Sequence, residues 1–94
     1  MRTIKQATDF KRSKKKIDRG GRYNKAMKER FEPAVLALAN DEPLDYTYHD
    51  HELKGDMEGR RECHILFDLV LVYRKIGDDV LYLDDIGTHV RGSG

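Results

Sequence analysis

The run Leu69-Val70-Leu71-Val72-Tyr73 is apolar at every position. Successive side chains of a strand point to opposite faces, so this segment is apolar on both faces and reads as the central strand of a sheet. Strands are expected on either side of it in sequence, at about 59–67 and 80–88, with the central strand at 69–75. Ile76-Gly77-Asp78-Asp79 joins the last two as a hairpin turn, because Gly and Asp tolerate the positive φ such turns need.

Residues 2–8 alternate weakly and read as a short strand leading into Asp9 as a helix N-cap. The helix is expected over about 9–19, with Phe10 and Ile17 on one face and Gly20-Gly21 ending it. A second helix over about 22–39 carries Tyr23, Met27, Phe31, Ala34, Val35 and Leu38 at spacings of three and four. Pro33 removes one backbone hydrogen bond from it and is expected to kink or split it, at a cost of about 3 kcal/mol unless packing compensates. Residues 40–58 read as a long polar connection with Leu44, Tyr46, Tyr48, Leu53 and Met57 as its few core candidates. A connection of that length in so small a domain is more often functional than idle. The order predicts one α+β domain over residues 1–94, with two N-terminal helices packed on a small twisted, mainly antiparallel sheet in the order β-α-α-β-β-β. The sheet's other face is expected to stay open. Strand parity puts Glu62, His64, Leu66 and Asp68 on one side, and Cys63, Ile65 and Phe67 on the other.

The net charge of +1 conceals an asymmetry. Residues 1–30 hold twelve Lys and Arg against three acids, and the remainder hold six against fourteen. Lys11, Lys14, Lys15 and Lys16, with Arg12, Arg19 and Arg22, form a stripe suited to displacing counterions from phosphate, which points to nucleic acid or a ribosome; the bland reading is a solvated helix face. The single cysteine, Cys63, excludes an internal disulfide, and a reducing cytoplasm is the default. No apolar stretch is long enough for export or for crossing a membrane.

Chemistry-bearing residues gather in the second half, as His51, His64, Asp68 and His89. Metal-free RNA cleavage needs one group to take the 2′-hydroxyl proton and another to protonate the 5′-oxygen, and imidazole titrates near neutral pH. His49 reads as a solvated loop residue. A zinc centre from His49, His51, His64, His89 and an acid is the competing reading, but His-x-His is a weak signal and no HExxH or paired cysteines accompany it.

Four ordered motifs make the chain similar to a known family. They are Tyr48-His49-Asp50-His51-Glu52-Leu53-Lys54-Gly55, Gly59-Arg60-Arg61-Glu62-Cys63-His64, Asp68-Leu69-Val70-Leu71-Val72-Tyr73 and Gly87-Thr88-His89. Together with the two-helix segment before them, they resemble the YafQ branch of the RelE superfamily of bacterial toxins. The resemblance implies a RelE-like fold and a ribosome-dependent endoribonuclease that cuts mRNA without a metal or other cofactor and is neutralised by a cognate antitoxin. His51, His64, Asp68 and His89 match its catalytic positions; sequence does not assign the two proton-transfer roles, because neighbouring titrating groups share macroscopic pKa values, and the reading leans to His51 as base and His89 as acid. The family usually carries an arginine where this chain has Asp85, and an acid there would repel the charge developing on phosphate. Arg61 or Arg91 is a candidate substitute cation for binding substrate, with the four lysines on the RNA backbone. Leu69 stands where relatives often have tryptophan. The alternative is a weakened or inactive ribosome- or RNA-binding module.

Overall fold

The computed structural model describes residues 1–21 and 25–88. The apolar run lies in β4 (Leu69–Ile76), the middle of a five-stranded sheet. The other strands are β1 (Thr3–Gln6), β2 (His51–Glu52), β3 (Arg61–Leu66) and β5 (Val80–Gly87), in the spatial order β1-β5-β4-β3-β2. β1 runs parallel to β5 and all other pairs are antiparallel. Two helices, α1 (Thr8–Arg19) and α2 (Lys25–Ala39), complete the α+β architecture.

Alternation along β4 divides the apolar side chains between two layers. Leu69, Leu71 and Tyr73 join Phe10 of α1 and Met27, Ala34, Val35, Leu38 and Ala39 of α2 in the main core. Val70 and Val72 point the other way and are covered by Leu53 and Met57. The second face is therefore not open as expected: the chain between β2 and β3 folds back over it.

The helices correct two expectations. Asp9 does not cap α1: the N-cap is Ala7, whose side chain makes no capping bond, and Asp9 lies inside the first turn, where its charge complements the helix dipole. Pro33 does not split α2, which runs continuously from Lys25 to Ala39. Pro33 is exposed on the solvent side, where water can satisfy the carbonyl it orphans, and burial of Ala34, Val35 and Leu38 offsets the lost bond. Phe10 and Phe31 stack across the helix pair with centroids 6.2 Å apart, as their apolar stripes predict. Tyr23, also placed on the α2 stripe, lies outside the described residues.

The connection at 40–58 is more ordered than its polarity suggests. It holds 3-10 turns at Tyr46–Tyr48 and Gly55–Met57 and the two-residue strand β2. The Tyr48 ring lies under the Arg30 guanidinium at 3.8 Å, and its hydroxyl donates to the Arg30 carbonyl at 2.9 Å. The hairpin at Ile76–Val80 forms as expected, with Gly77 at φ 58°.

Candidate functional site

β2 adds an edge strand to β3 and, by register, sets His51 directly opposite Glu62. Alternation from Cys63 and Ile65, which face the core, sends Glu62 to the other side, where β2 and the following loop bury it to 2% exposure. Its Oε1 lies 3.1 Å from His51 Nε2, while Oε2 has no hydrogen-bond partner among the described residues. A buried carboxyl with only one partner carries a desolvation cost that a purely structural residue would not need.

The other ring nitrogen of His51 is also engaged. His49 closes the 3-10 turn in the left-handed region at φ 48°, and its carbonyl lies 2.6 Å from His51 Nδ1. A carbonyl can only accept, so Nδ1 carries the hydrogen and Nε2 is the nitrogen that faces Glu62. The His49 ring meets His64 edge-on with centroids 5.7 Å apart. His49 is exposed, as expected of a loop residue, but it is held at the site rather than merely solvated.

The register between β3 and β4 slips between His64 and Leu66, and such an irregularity re-aims side chains at the end of a strand. There His49, His51 and His64 line a groove of about 690 Å³ with Arg30, Thr47 and Phe67. Arg30 is a groove residue that sequence reasoning missed, being one cation among twelve in the basic segment. Its guanidinium donates to the Ile65 carbonyl at 3.1 Å, the His64 carbonyl at 3.4 Å and Thr47 Oγ1 at 3.0 Å. It thus clasps α2, the 3-10 turn and β3 around the groove. Glu62 was missed for a different reason, since its burial depends on the pairing with His51, which no local pattern announces.

The loop bearing His49 and His51 is tethered from beneath by Asp50. Its carboxylate accepts from the buried Tyr73 hydroxyl at 2.5 Å and from Arg61 at 3.1 Å. Burial, and then the Asp50 carboxylate, push the Tyr73 hydroxyl well above the usual phenol range, so it stays a donor. Arg61, expected on substrate, has its charge committed to Asp50 and, at 3.5 Å, to Glu52. Burial pushes the Cys63 thiol up to about 12, consistent with a packed hydrophobe.

The remaining candidates are dispersed. Asp68 is exposed in the turn between β3 and β4 and does not line the groove. His89 and Arg91 lie outside the described residues. Asp85 accepts from Ser13 Oγ of α1 at 2.6 Å and from the Ile86 amide at 2.8 Å, so its carboxylate is held toward α1. Leu69 is buried, leaving Phe67 as the aromatic on this rim. The lysines do not form one stripe: Lys11, Lys14 and Lys15 line a second groove of about 660 Å³ with Phe31, whereas Lys16 faces Leu69 and Gly87. Lys14 pairs with Asp18 at 3.0 Å. Among the described residues no group of three His, Cys, Asp or Glu is placed to hold a metal ion, and no helix is long and apolar enough to cross a membrane.

Comparison with known proteins bears directly on this arrangement. A family model described as the bacterial toxin of a type II toxin-antitoxin system, YafQ, matches residues 2–91. The mRNA interferase toxin YafQ of Escherichia coli K12 is 38% identical over 55 residues, which is 58% of this chain and 59% of that protein. A Haemophilus influenzae protein bearing the YafQ name is 46% identical over 46 residues, 49% of this chain and 45% of its own length. The matched segments thus span about half the length of these curated relatives. Among solved structures, a copper-bound toxin mutant from Helicobacter pylori superposes with a TM-score of 0.81 at 35% identity, covering 95% of this chain and 96% of that one. The Escherichia coli DinJ-YafQ complex superposes with a TM-score of 0.77 at 28% identity, covering 95% and 94%.

Proposed function

Because this chain belongs to the YafQ family of bacterial type II toxin–antitoxin toxins, we propose that it is an endoribonuclease cleaving mRNA on the ribosome at the histidine groove. The observation that carries this reading is the convergence of His49, His51 and His64 in one groove, with a buried carboxyl on His51. In the proposed reaction a base removes the 2′-hydroxyl proton, the 2′-oxygen attacks phosphorus, and the 5′-oxygen leaves with a proton from an acid. The products are a 2′,3′-cyclic phosphate and a 5′-hydroxyl.

The hydrogen bonds favour an assignment of roles that the sequence did not. Acceptors stand at both ring nitrogens of His51, so no lone pair is directed at substrate while Nε2 rests on Glu62. To act as the acid, His51 turns Nε2–H from Glu62 to the 5′-oxygen of the leaving group. His64 is engaged only through Nδ1, at 3.4 Å from the Phe67 carbonyl, which leaves Nε2 as the acceptor for the 2′-hydroxyl proton. In this reading His64 is the base, His51 the acid and Glu62 its positioning residue. Parts for His89 and Asp68 rest on the family resemblance.

The attenuated alternative rests on Asp85. With that carboxylate turned to Ser13 and Arg30 spent on the scaffold, the proposed deficit is a missing cation rather than direct repulsion. Lys11, Lys15 and Lys16, all exposed, are proposed to meet RNA phosphates. An antitoxin partner is proposed by analogy with the DinJ-YafQ complex, and the cytoplasm is the proposed place of action because the proposed substrate is on the ribosome.

The test is cleavage of one mRNA, free and on programmed ribosomes, with the purified protein. Cleavage at a defined codon position on ribosomes, and roughly a hundredfold less on free mRNA, is expected if the ribosome supplies the positioning that this small groove lacks. Equal cleavage of free RNA contradicts ribosome dependence, and no cleavage in either sample contradicts the nuclease reading.

A further inference from the structure

Phe67 is 98% exposed in the two-residue turn between β3 and β4. A turn position of this kind favours small polar residues, and an apolar ring standing wholly in water adds nothing to folding. The fold therefore leaves the identity of this side chain unexplained. Its position is informative, because Phe67 lines the groove of His49, His51, His64 and Arg30, and its carbonyl lies 3.4 Å from His64 Nδ1. The Phe67 backbone is thus tied to a candidate proton-transfer group. The groove lining includes an arginine and three histidines but no carboxylate. A ligand matching such a lining has a flat π face for the ring and negative charge to match the Arg30 cation and the imidazoles, which together describe a nucleotide. The volume of about 690 Å³ accommodates one.

We propose that Phe67 is a substrate-binding residue that stacks on a nucleobase of the RNA flanking the scissile phosphate. The inference rests on the nuclease reading above and adds to it the group that holds the base. Stacking on an aromatic face is tolerant of base identity, so Phe67 sets affinity and orientation while leaving sequence choice to other contacts.

The experiment uses programmed ribosomes whose mRNA carries 2-aminopurine beside the cleavage site and a 2′-methoxy group in place of the attacking hydroxyl, so that the complex forms without reacting. The natural protein should quench the fluorescence. Phe67→Ala should abolish most of the quench and, on cleavable mRNA, raise the half-saturating toxin concentration about tenfold with little change in the saturating rate. Phe67→Trp should restore both readouts, whereas Phe67→Leu, apolar but without a π face, should behave like alanine. Tyr46, also exposed but absent from the groove lining, serves as control, and Tyr46→Ala should match the natural protein. Quench and half-saturation unaltered in Phe67→Ala, or full function in Phe67→Leu, would overturn the proposal. So would weakened antitoxin binding with both RNA readouts intact, which would assign the ring to a protein interface. If the natural protein neither quenches nor cleaves, the nuclease reading itself fails; if it cleaves and Phe67→Ala quenches and half-saturates as the natural protein does, this inference alone fails.

Discussion

Replacing His51 with alanine is expected to lower single-turnover mRNA cleavage by about 10²–10⁴-fold, the range for losing a positioned proton-transfer group. The same change should also cost stability, because it removes the ion-pair partner that stands 3.1 Å from the buried Glu62 carboxyl. His51 is itself 47% exposed, so water can enter the space it leaves, and the loss should be about 1–3 kcal/mol by urea denaturation. The two effects separate in a second variant. Adding Glu62→Leu to His51→Ala removes the stranded carboxyl and should recover most of the stability while activity stays low. A His51→Ala protein that cleaves within about threefold of the natural rate would remove His51 from the chemistry, since the smallest effect expected of such a group is roughly a hundredfold.

The second large effect is expected at Asp50, which acts through position rather than chemistry. Its carboxylate accepts from the Tyr73 hydroxyl and from Arg61, linking the strand centre to the loop that holds His49 and His51. Asp50→Ala leaves a buried hydroxyl donor without its acceptor and frees the loop. The expected cost is about 2–3 kcal/mol, a large share of the roughly 5–15 kcal/mol available to a domain of this size. Thermal melts should show a fall of about 10–20 °C, from roughly 4–8 °C per kcal/mol. Tyr73→Phe in the same background removes the stranded donor and should return part of that loss without restoring cleavage. A melting temperature unchanged in Asp50→Ala would show that the network does not anchor the loop.

How far the sequence foretold this molecule depends on whether each feature was written locally. Leu69–Tyr73 announced a central strand because burial on both faces leaves no polar alternation, and Phe10, Met27 and Leu38 announced helix faces through their spacing. Asp9 misled because the true N-cap, Ala7, makes no side-chain bond, so the helix began one residue earlier than any capping signal. β2 was hidden because two polar residues, His51 and Glu52, carry no strand pattern; only pairing with β3 makes them a strand. The cover over Val70 and Val72 was hidden for the same reason, being supplied by Leu53 and Met57 of a segment that reads as loop.

The site was legible as residue types and not as geometry. Motif positions picked out His51 and His64, but the neighbours of the His51 ring nitrogens, the His49 carbonyl and Glu62, are set by the fold and not by any motif. Arg61 looked like a substrate cation because nothing in the sequence shows that Asp50 and Glu52 flank it. Asp85 looked like a residue beside the scissile phosphate because it stands where the resembled family usually carries an arginine, whereas its carboxylate is bonded to Ser13 of α1.

The central claim, acid–base cleavage by protein side chains in the histidine groove, is tested most directly by the chemistry of the cut ends, with metal chelators limited to concentrations that leave ribosomes intact. Cleavage products from programmed ribosomes should carry a 5′-hydroxyl on the downstream fragment and a 2′,3′-cyclic phosphate, or its 3′-phosphate hydrolysis product, on the upstream one, at a rate unaffected by chelation. A 5′-phosphate on the downstream fragment, or cleavage lost on chelation and restored by added copper or zinc, would contradict the account and transfer the chemistry to a metal-activated water.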